Sequence, residues 1–313
     1  MTVAESSEAS QSDAEAKARG PVRRAPPSRL SAPPARKPVV PFLLGAALGA
    51  LVGALPFILR PKQESSLSAE LGARCERGDR VACRQLGMAH QVGFDGPPDP
   101  KKAAELLERA CNGGEALACL RLADLFEGGK TGKVDAPRTT ALYERACDGG
   151  ERDGCASAGL RFEKGAGVAK DAAKAATLYQ RGCDLGGARA CGALGMAKFV
   201  GMGTEQNVEL AVSLFQKACD AGDAEGCHGY GRMLLGGRGV PQDEAKATQL
   251  FDRACEGGSV MGCRALGLLY VDGKAGLSAD AARAKTYFER ACALGDAVSC
   301  ERVERANARP REP

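Results

Sequence analysis

The residues of this sequence that are best able to do chemistry are its fourteen cysteines, which recur in pairs. Seven residues separate the two cysteines of each pair, and the pairs recur every 36 residues, with one extra residue before the last pair. Paired cysteines can bind a metal ion, carry out thiol redox chemistry or form a structural disulfide. The seven pairs are Cys75 with Cys83, Cys111 with Cys119, Cys147 with Cys155, Cys183 with Cys191, Cys219 with Cys227, Cys255 with Cys263, and Cys292 with Cys300.

The spacing of these cysteines favours structural disulfides over the other two chemistries. Zinc sites typically contain close pairs such as C-x2-C, often with histidine, and the sequence has no such pair. It also lacks a redox C-x-x-C and a haem-attachment C-x-x-C-H. If a C-x7-C pair spans a glycine turn between two helices, its sulfurs can reach disulfide distance. The alternative is that the cysteines are reduced, buried residues at close-packed positions.

The sequence contains few of the residues that catalysis requires. The sequence has only two histidines, His90 and His228, too few for a His-rich metal site. Serine beta-lactamases use S-x-x-K, which is absent, because Ser213 and Lys217 are one residue too far apart. A K-T-G tripeptide occurs at 130–132, but in a predicted interhelical loop, where we attribute it to chance. We therefore predict no catalytic residue, no metal site and no cofactor.

The elements that position the cysteines are predicted by a 36-residue repeat. Each unit is expected to contain a helix, a loop, a second helix and a tight turn, with cysteine at position five and a small residue at position nine. Glycine at position 15 is typical of a helix end, because it adopts the left-handed cap conformation readily. Apolar residues at i, i+3, i+4 and i+7 give the second helix one buried face. The units are 79–114, 115–150, 151–186, 187–222, 223–258 and 259–295, followed by a half unit from 296.

The units resemble Sel1-like repeats, which are relatives of the tetratricopeptide repeat. The resemblance rests on Leu142–Cys155, Leu178–Cys191, Leu250–Cys263 and the loop 237–247, and it covers about 75–302. The C-x7-C spacing is similar to that of the Helicobacter cysteine-rich protein family. Membership would imply an all-α, right-handed solenoid of antiparallel helix pairs, each bridged by a disulfide, that binds proteins or peptides. Some relatives are beta-lactamase-like or penicillin-binding, so the resemblance also implies a hydrolase as an alternative.

The N-terminal segments differ in composition from the repeats. Residues 1–38 are rich in Ala, Ser, Pro and Arg, which predicts a disordered tail. Residues 39–59 are uncharged and mostly apolar, and a helix of this length spans a bilayer. They begin too far from Met1 for an ordinary signal peptide. We predict an uncleaved transmembrane signal anchor, with a buried soluble helix as the alternative.

The flanking charges predict the orientation of this anchor. The segment from Arg23 to Lys37 contains five basic residues and no acidic one, which places the N-terminus in the cytoplasm. The expected location is the bacterial inner membrane, crossed once, with periplasmic repeats. Within the anchor, Gly45, Gly49 and Gly53 lie on one helix face, a pattern that would allow a homodimer.

The remaining chain is predicted to contain three parts. They are a juxtamembrane linker and first helix at 60–74, the solenoid at 75–302 and a polar C-terminal tail at 303–313. Residues 1–62 contain nine basic and four acidic side chains, which leaves 34 basic and 35 acidic side chains for the rest. The repeats are therefore nearly neutral, which excludes nucleic acid as a partner.

Together these features predict a membrane-anchored, extracytoplasmic scaffold that binds a protein or peptide of the cell envelope. The alternative function is a beta-lactam or peptidoglycan-related hydrolase or penicillin-binding protein. Six arginines on or near the first helices of the units are expected either to meet acidic ligands or simply to be solvated. They are Arg84, Arg121, Arg161, Arg189, Arg232 and Arg264.

Overall fold

The computed structural model describes residues 67–94, 96–132 and 135–308. Within these ranges the chain forms fourteen α-helices. None of the described helices is long and apolar enough to cross a membrane. The predicted tail, the predicted anchor and its three glycines lie outside the described residues. The helices are α1 (Leu67–Glu76), α2 (Arg80–Val92), α3 (Pro100–Asn112), α4 (Ala116–Glu127), α5 (Ala136–Asp148), α6 (Arg152–Lys164), α7 (Ala172–Asp184), α8 (Ala188–Val200), α9 (Val208–Asp220), α10 (Ala224–Gly236), α11 (Glu244–Glu256), α12 (Val260–Asp272), α13 (Ala281–Ala293) and α14 (Ala297–Ala308).

These helices pair as the repeat predicts, and the all-α solenoid is confirmed. The first helix of each unit packs on the second, from α2 on α3 through to α12 on α13. Helix α1 stands before the first pair, and α14 follows the last. First helices of neighbouring units also touch, because α8 contacts both α6 and α10, and α10 contacts α12. The last helix continues to Ala308, past the boundary at 302 that the sequence analysis gives to the solenoid.

Side-chain caps define where the second helices begin. Each has an Asp or Asn at its N-cap, which accepts a hydrogen bond from the backbone N–H three residues on. The first helices mostly end at the predicted glycine of position 15 in the left-handed conformation. Helix α4 differs, because it ends one residue earlier, at Gly128 in the right-handed conformation. Gly129 then takes the positive φ in the following turn.

Small residues at position nine let the two helices of a unit approach closely. A Cβ atom on Gly159 would lie 2.5 Å from the Tyr179 ring, and one on Gly267 would lie 2.7 Å from the Phe288 ring. Each ring is almost fully buried against its glycine. In units three to six one aromatic ring of the second helix fills the space that the small residue leaves, whereas in the first unit Leu107 lies against Gly87.

All fourteen cysteines are joined in seven disulfides in the structure, and the described residues contain no free thiol. Each bridge links residues eight apart, with Cα atoms between 4.3 and 4.7 Å from each other. The cysteines of the first six bridges are buried, and those of the last are half-buried. The bridges join Cys75 to Cys83, Cys111 to Cys119, Cys147 to Cys155, Cys183 to Cys191, Cys219 to Cys227, Cys255 to Cys263, and Cys292 to Cys300.

The bridges lie at the turns between consecutive units of the solenoid. The first cysteine of each pair lies at the end of one helix, and its partner lies in the first helix of the next unit. Among the partners, Cys83 lies in α2, Cys119 in α4, Cys227 in α10 and Cys300 in α14. The turn between the two cysteines is therefore the turn between units. Each bridge therefore joins two consecutive antiparallel helices across a unit boundary, as the positions of Cys111 in 79–114 and Cys119 in 115–150 predict.

A basic residue near the end of each of several second helices links it to the preceding unit. Arg145 Nη2 donates to the carbonyl oxygen of Cys111 at 2.8 Å, and Arg253 Nη2 donates to that of Cys219 at 2.7 Å. Lys217 makes the equivalent bond to Cys183 at 3.2 Å. A cation at a helix C-terminus is favourable because the last carbonyls lack partners within their helix. These bonds support the same junctions that the disulfides bridge.

We expect Arg253→Met to lower the free energy of unfolding by about 1 kcal/mol, the usual size for a charged hydrogen bond at a helix end. Methionine keeps most of the aliphatic stem and removes only the donor. Arg305→Met, which loses an exposed pair with Glu301 at 3.3 Å, is the control and should change stability by less than about 0.5 kcal/mol. Urea titration followed by circular dichroism measures both, and equal effects would contradict the role of Arg253.

Candidate binding face

The residues considered for catalysis are not brought together by the fold. The K-T-G tripeptide at 130–132 lies in the turn after α4. The Ser213 hydroxyl donates to the carbonyl oxygen of Leu210 at 2.8 Å, within its own helix. Lys217 is used at a unit junction. Among the described residues, no group of three or more His, Cys, Asp or Glu side chains is placed to hold a metal ion.

Three of the six predicted arginines form ion pairs in the first three units. Arg161 is buried, where its guanidinium bonds Thr140 Oγ1 at 2.7 Å and Glu127 Oε1 at 3.0 Å. Arg84 pairs with Glu115 of the next unit at 2.9 Å. Arg121 pairs with Asp124 one turn along α4, at 3.4 Å. The sequence carried a signal for Arg161, because it occupies position eleven, where the other units have Ala, Leu or Met.

The other three arginines lie on α8, α10 and α12, where Arg189 and Arg232 are exposed and Arg264 is half-buried. Arg189 Nη2 bonds Ser157 Oγ at 2.6 Å. Arg264 Nη1 pairs with Asp296 Oδ1 at 3.3 Å. The exposed Arg232 makes no hydrogen bond or ion pair with any residue that the structure describes. Its guanidinium is therefore available for a ligand.

Apolar side chains are also exposed on these helices. We use the term first-helix face for the outward side of α2, α4, α6, α8, α10 and α12. At position ten of three units, Leu160, Met196 and Leu268 are 40%, 37% and 38% exposed. Equivalent positions of stacked units are neighbours, so Leu160 lies next to Met196, and Arg232 separates Met196 from Leu268. Five further exposed apolar residues lie on the first helices, namely Val81, Val92, Val200, Met261 and Val271. Contiguous exposed apolar surface of this kind marks interaction sites.

Between α10 and α12 the first-helix face forms a groove of about 430 Å³. We call it the α10–α12 groove. Its wall is mostly apolar, and the arginines of both helices border it. The lining residues are His228, Arg232, Leu235, Phe251, Met261, Arg264, Ala265, Leu268 and Leu269. The repeat pattern did not reveal this groove, because it could not distinguish an exposed apolar position from a buried one.

His228 lies buried in the wall of this groove. Its ring centroid is 5.8 Å from that of Phe251, and its Nδ1 is 3.8 Å from Glu225 Oε2. Burial lowers the pKa of His228 to about 4, and the positive charges of Arg232 and Arg264 act in the same direction. The imidazole is therefore neutral at neutral pH.

This pKa predicts a pH dependence of stability. Because the pKa falls from 6.5 in the unfolded chain to about 4 in the folded one, the unfolded chain binds the proton more readily between these values. The stabilisation is complete above pH 6.5 and is lost as the pH falls towards 4. Its size is at most about 3 kcal/mol. We expect His228→Gln to make the melting temperature fall less between pH 7.5 and 5 than it does in the native sequence. If the melting temperatures of the two proteins fall equally over this pH range, His228 does not titrate in this way.

The family model of the Sel1 repeat matches residues 80–115, 116–151, 153–187, 188–223, 224–259 and 260–296. These matches cover more than half of the chain and coincide closely with the units that the cysteine period defines. No curated protein matches the chain.

Two solved structures share the fold. A Sel1 repeat protein from Oxalobacter formigenes has a TM-score of 0.65 and 17% identity, and the match covers 72% of this chain and 96% of that one. A protective antigen of uropathogenic Escherichia coli, described as having an SLR fold, has a TM-score of 0.64 and 22% identity over 79% of this chain. The match spans about half of the antigen, 53% of that chain.

A third similar structure is cysteine-rich protein B of Helicobacter pylori, with 30% identity, a TM-score of 0.35, and coverage of 42% of this chain and 93% of that one. The resemblance derived from the sequence is confirmed by the repeat matches. The chain belongs to the Sel1 repeat family.

Proposed function

We propose that the repeats form a scaffold that binds a protein or peptide on the first-helix face. The observation that carries this proposal is the set of exposed apolar side chains at the same repeat position of α6, α8 and α12, with the α10–α12 groove beside them. Large apolar side chains that stay exposed at equivalent repeat positions indicate a surface that binds a partner. Stacked repeats suit this role, because each unit adds one strip to an extended surface.

The hydrolase alternative has no support in the arrangement of the described residues. Ser213 and the K-T-G tripeptide belong to different units, and neither lies among the groove residues. Turnover of a chromogenic cephalosporin by the purified full chain, lost on substitution of a single serine, would contradict a purely binding role.

We further propose that the repeats act outside the cytoplasm, tethered to the inner membrane by residues 39–59. The apolar length of that segment and the basic residues before it support the tether. The seven disulfides fit an oxidising compartment such as the periplasm. In this arrangement the tail 1–38 is cytoplasmic, 60–74 links the membrane to the repeats, and Gly45, Gly49 and Gly53 provide a dimer contact.

Site-specific photo-crosslinking in cells tests the binding face. A benzoylphenylalanine at Met196 or Leu268 should crosslink to a partner protein. The matched control is Leu210, which is 39% exposed but lies on the second helix α9. We expect a specific adduct from the two first-helix positions and none from Leu210. Equal crosslinking at all three positions, or crosslinking at Leu210 alone, would refute the first-helix face.

A further inference from the structure

We propose that the α10–α12 groove is a subsite for an acidic side chain that lies next to an apolar side chain in an extended peptide. The inference rests on the proposed function and adds the chemistry of the ligand. It combines three features of the groove, which are an available guanidinium, an apolar wall and a position on the first-helix face.

The charge at the groove is positive and partly unsatisfied. Arg232 has no ion-pair partner among the described residues. Arg264 forms one ion pair, in which its Nη1 lies 3.3 Å from Asp296 Oδ1. The acid nearest to His228 is the exposed Glu225, whose oxygen is 3.8 Å from Nδ1. An incoming carboxylate can pair with Arg232 and also approach Arg264, and guanidinium groups bind carboxylates with two parallel hydrogen bonds.

The apolar wall makes the groove selective for a ligand that carries an apolar side chain next to its acidic one. Leu268, Leu269 and Phe251 line the groove, and Met261 and Ala265 complete its α12 side. An apolar side chain that enters the groove removes water from around the guanidinium groups. The attraction between opposite charges grows when water is excluded. An apolar and an acidic side chain therefore bind better together than either does alone.

The groove is open to solvent, and the first-helix face extends from it towards α8. The exposed Met196 lies on α8, before the groove, and the exposed Val271 lies towards the end of α12. The backbone N–H groups that begin α10 and α12 are capped by Asp223 and Ser259, so they do not form a pocket for a chain terminus. These features favour an acidic side chain within a passing segment over a terminal carboxylate.

The other units lack this combination. At position ten, where Arg232 stands, three other units have Asp124, Leu160 and Met196. At position six, the place of Arg264, three units have Leu120, Ala156 and Gly192. Arg84 also occupies position six and pairs with Glu115 as Arg264 does with Asp296, but Arg232 is the only arginine at position ten of the six units. The acidic residue of a ligand is therefore expected at units five and six only.

Blocked, fluorescent peptide pools test this inference with the full chain. Each pool alternates Leu, Ile, Val or Phe with a second residue, which is Asp or Glu in the first pool, Asn or Gln in the second and Lys or Arg in the third. A fourth pool has Asn or Gln inside and a free C-terminal carboxylate. We expect the acidic pool to bind at least five-fold more tightly than the amide and basic pools. Arg232→Gln should remove most of this preference, whereas Arg77→Gln, which removes an exposed charge beside α1, should leave it unchanged.

The binding pattern of the four pools distinguishes an acidic subsite from a purely apolar face and from a site for a chain terminus. If all pools bind equally and Leu268→Asp weakens all of them, the binding face stands but the acidic subsite is refuted. Tightest binding by the fourth pool would also refute it, in favour of a chain terminus. If no pool binds and the crosslinking described above also fails, both proposals are wrong. If the acidic pool binds most tightly and Arg232→Gln does not reduce this preference, the acidic subsite lies elsewhere and the proposed groove is wrong.

Discussion

Replacing Cys183 and Cys191 together with alanine should lower the free energy of unfolding by about 2.5 kcal/mol, the loop-entropy value for a ring of about nine residues. Both cysteines are buried at the junction between α7 and α8. The loss should exceed this value somewhat, because alanine also leaves part of the sulfur volume empty. Urea unfolding of the full chain, monitored by circular dichroism, measures the change.

The position of the bridge should modulate this effect. Removal of the bridge between Cys183 and Cys191 weakens contact between units near the centre of the array. The matched control is the bridge between Cys292 and Cys300, which joins only α14 to the last pair. In a linear array each unit contacts only its neighbours. We expect the central variant to lose cooperativity and the terminal variant to fray locally, with a smaller change in the main transition.

Reduction of all seven bridges should unfold the repeats without denaturant. Natural domains are stable by about 5 to 15 kcal/mol, and seven bridges at the loop-entropy value exceed that range. Incubation of the purified chain with a strong reductant at neutral pH, followed by circular dichroism, tests the point. A reduced chain that keeps its native helicity would show that packing alone holds the units.

Gly203→Ala should be among the most damaging single substitutions outside the disulfides, at about 3 to 5 kcal/mol. Gly203 has φ +67°, and a Cβ atom there would lie 2.0 Å from the carbonyl oxygen of Ala172 and 2.1 Å from its carbonyl carbon. The loop after α8 therefore rests directly on the backbone at the start of α7, in the preceding unit. A clash with backbone cannot be relieved by rotating a side chain, so the loop must move away.

Gly186→Ala separates this clash from the cost of the left-handed conformation. Gly186 has φ +79°, and a Cβ atom there would have nothing within 4 Å. Its substitution should cost only about 1 to 2 kcal/mol, the penalty of a positive φ for alanine. Thermal melts of both variants give the comparison. Equal losses would mean that backbone strain, and not the contact with Ala172, dominates at Gly203.

Much of the fold could be predicted because the chain contains its own internal alignment. Six glycines or alanines at position nine predicted a close helix approach, and the structure places the Phe215 ring against one of them, Gly195. The Asp and Asn caps define the starts of the second helices. Residues that recur at a fixed period report what every unit needs.

Features that depend on one junction could not be predicted in this way. The buried guanidinium of Arg161 is held by hydrogen bonds to Thr140 and Glu127, which come from another unit at unrelated positions in the sequence. The α10–α12 groove depends on the lateral spacing of two helices, which no periodicity encodes. The apolar wall of the proposed subsite falls in this second group, whereas Arg232 and Arg264 are among the six arginines that the sequence analysis expects to meet acidic ligands.

Thiol trapping on the protein in its native cells tests most directly the account of an extracytoplasmic, disulfide-bridged scaffold. Cells are treated with an alkylating agent before lysis, and the chain is digested without reduction for mass spectrometry. We predict seven bridges, each within one C-x7-C pair, and no alkylated cysteine. Alkylated cysteines, or bridges between different pairs, would contradict both the oxidised array and its location outside the cytoplasm.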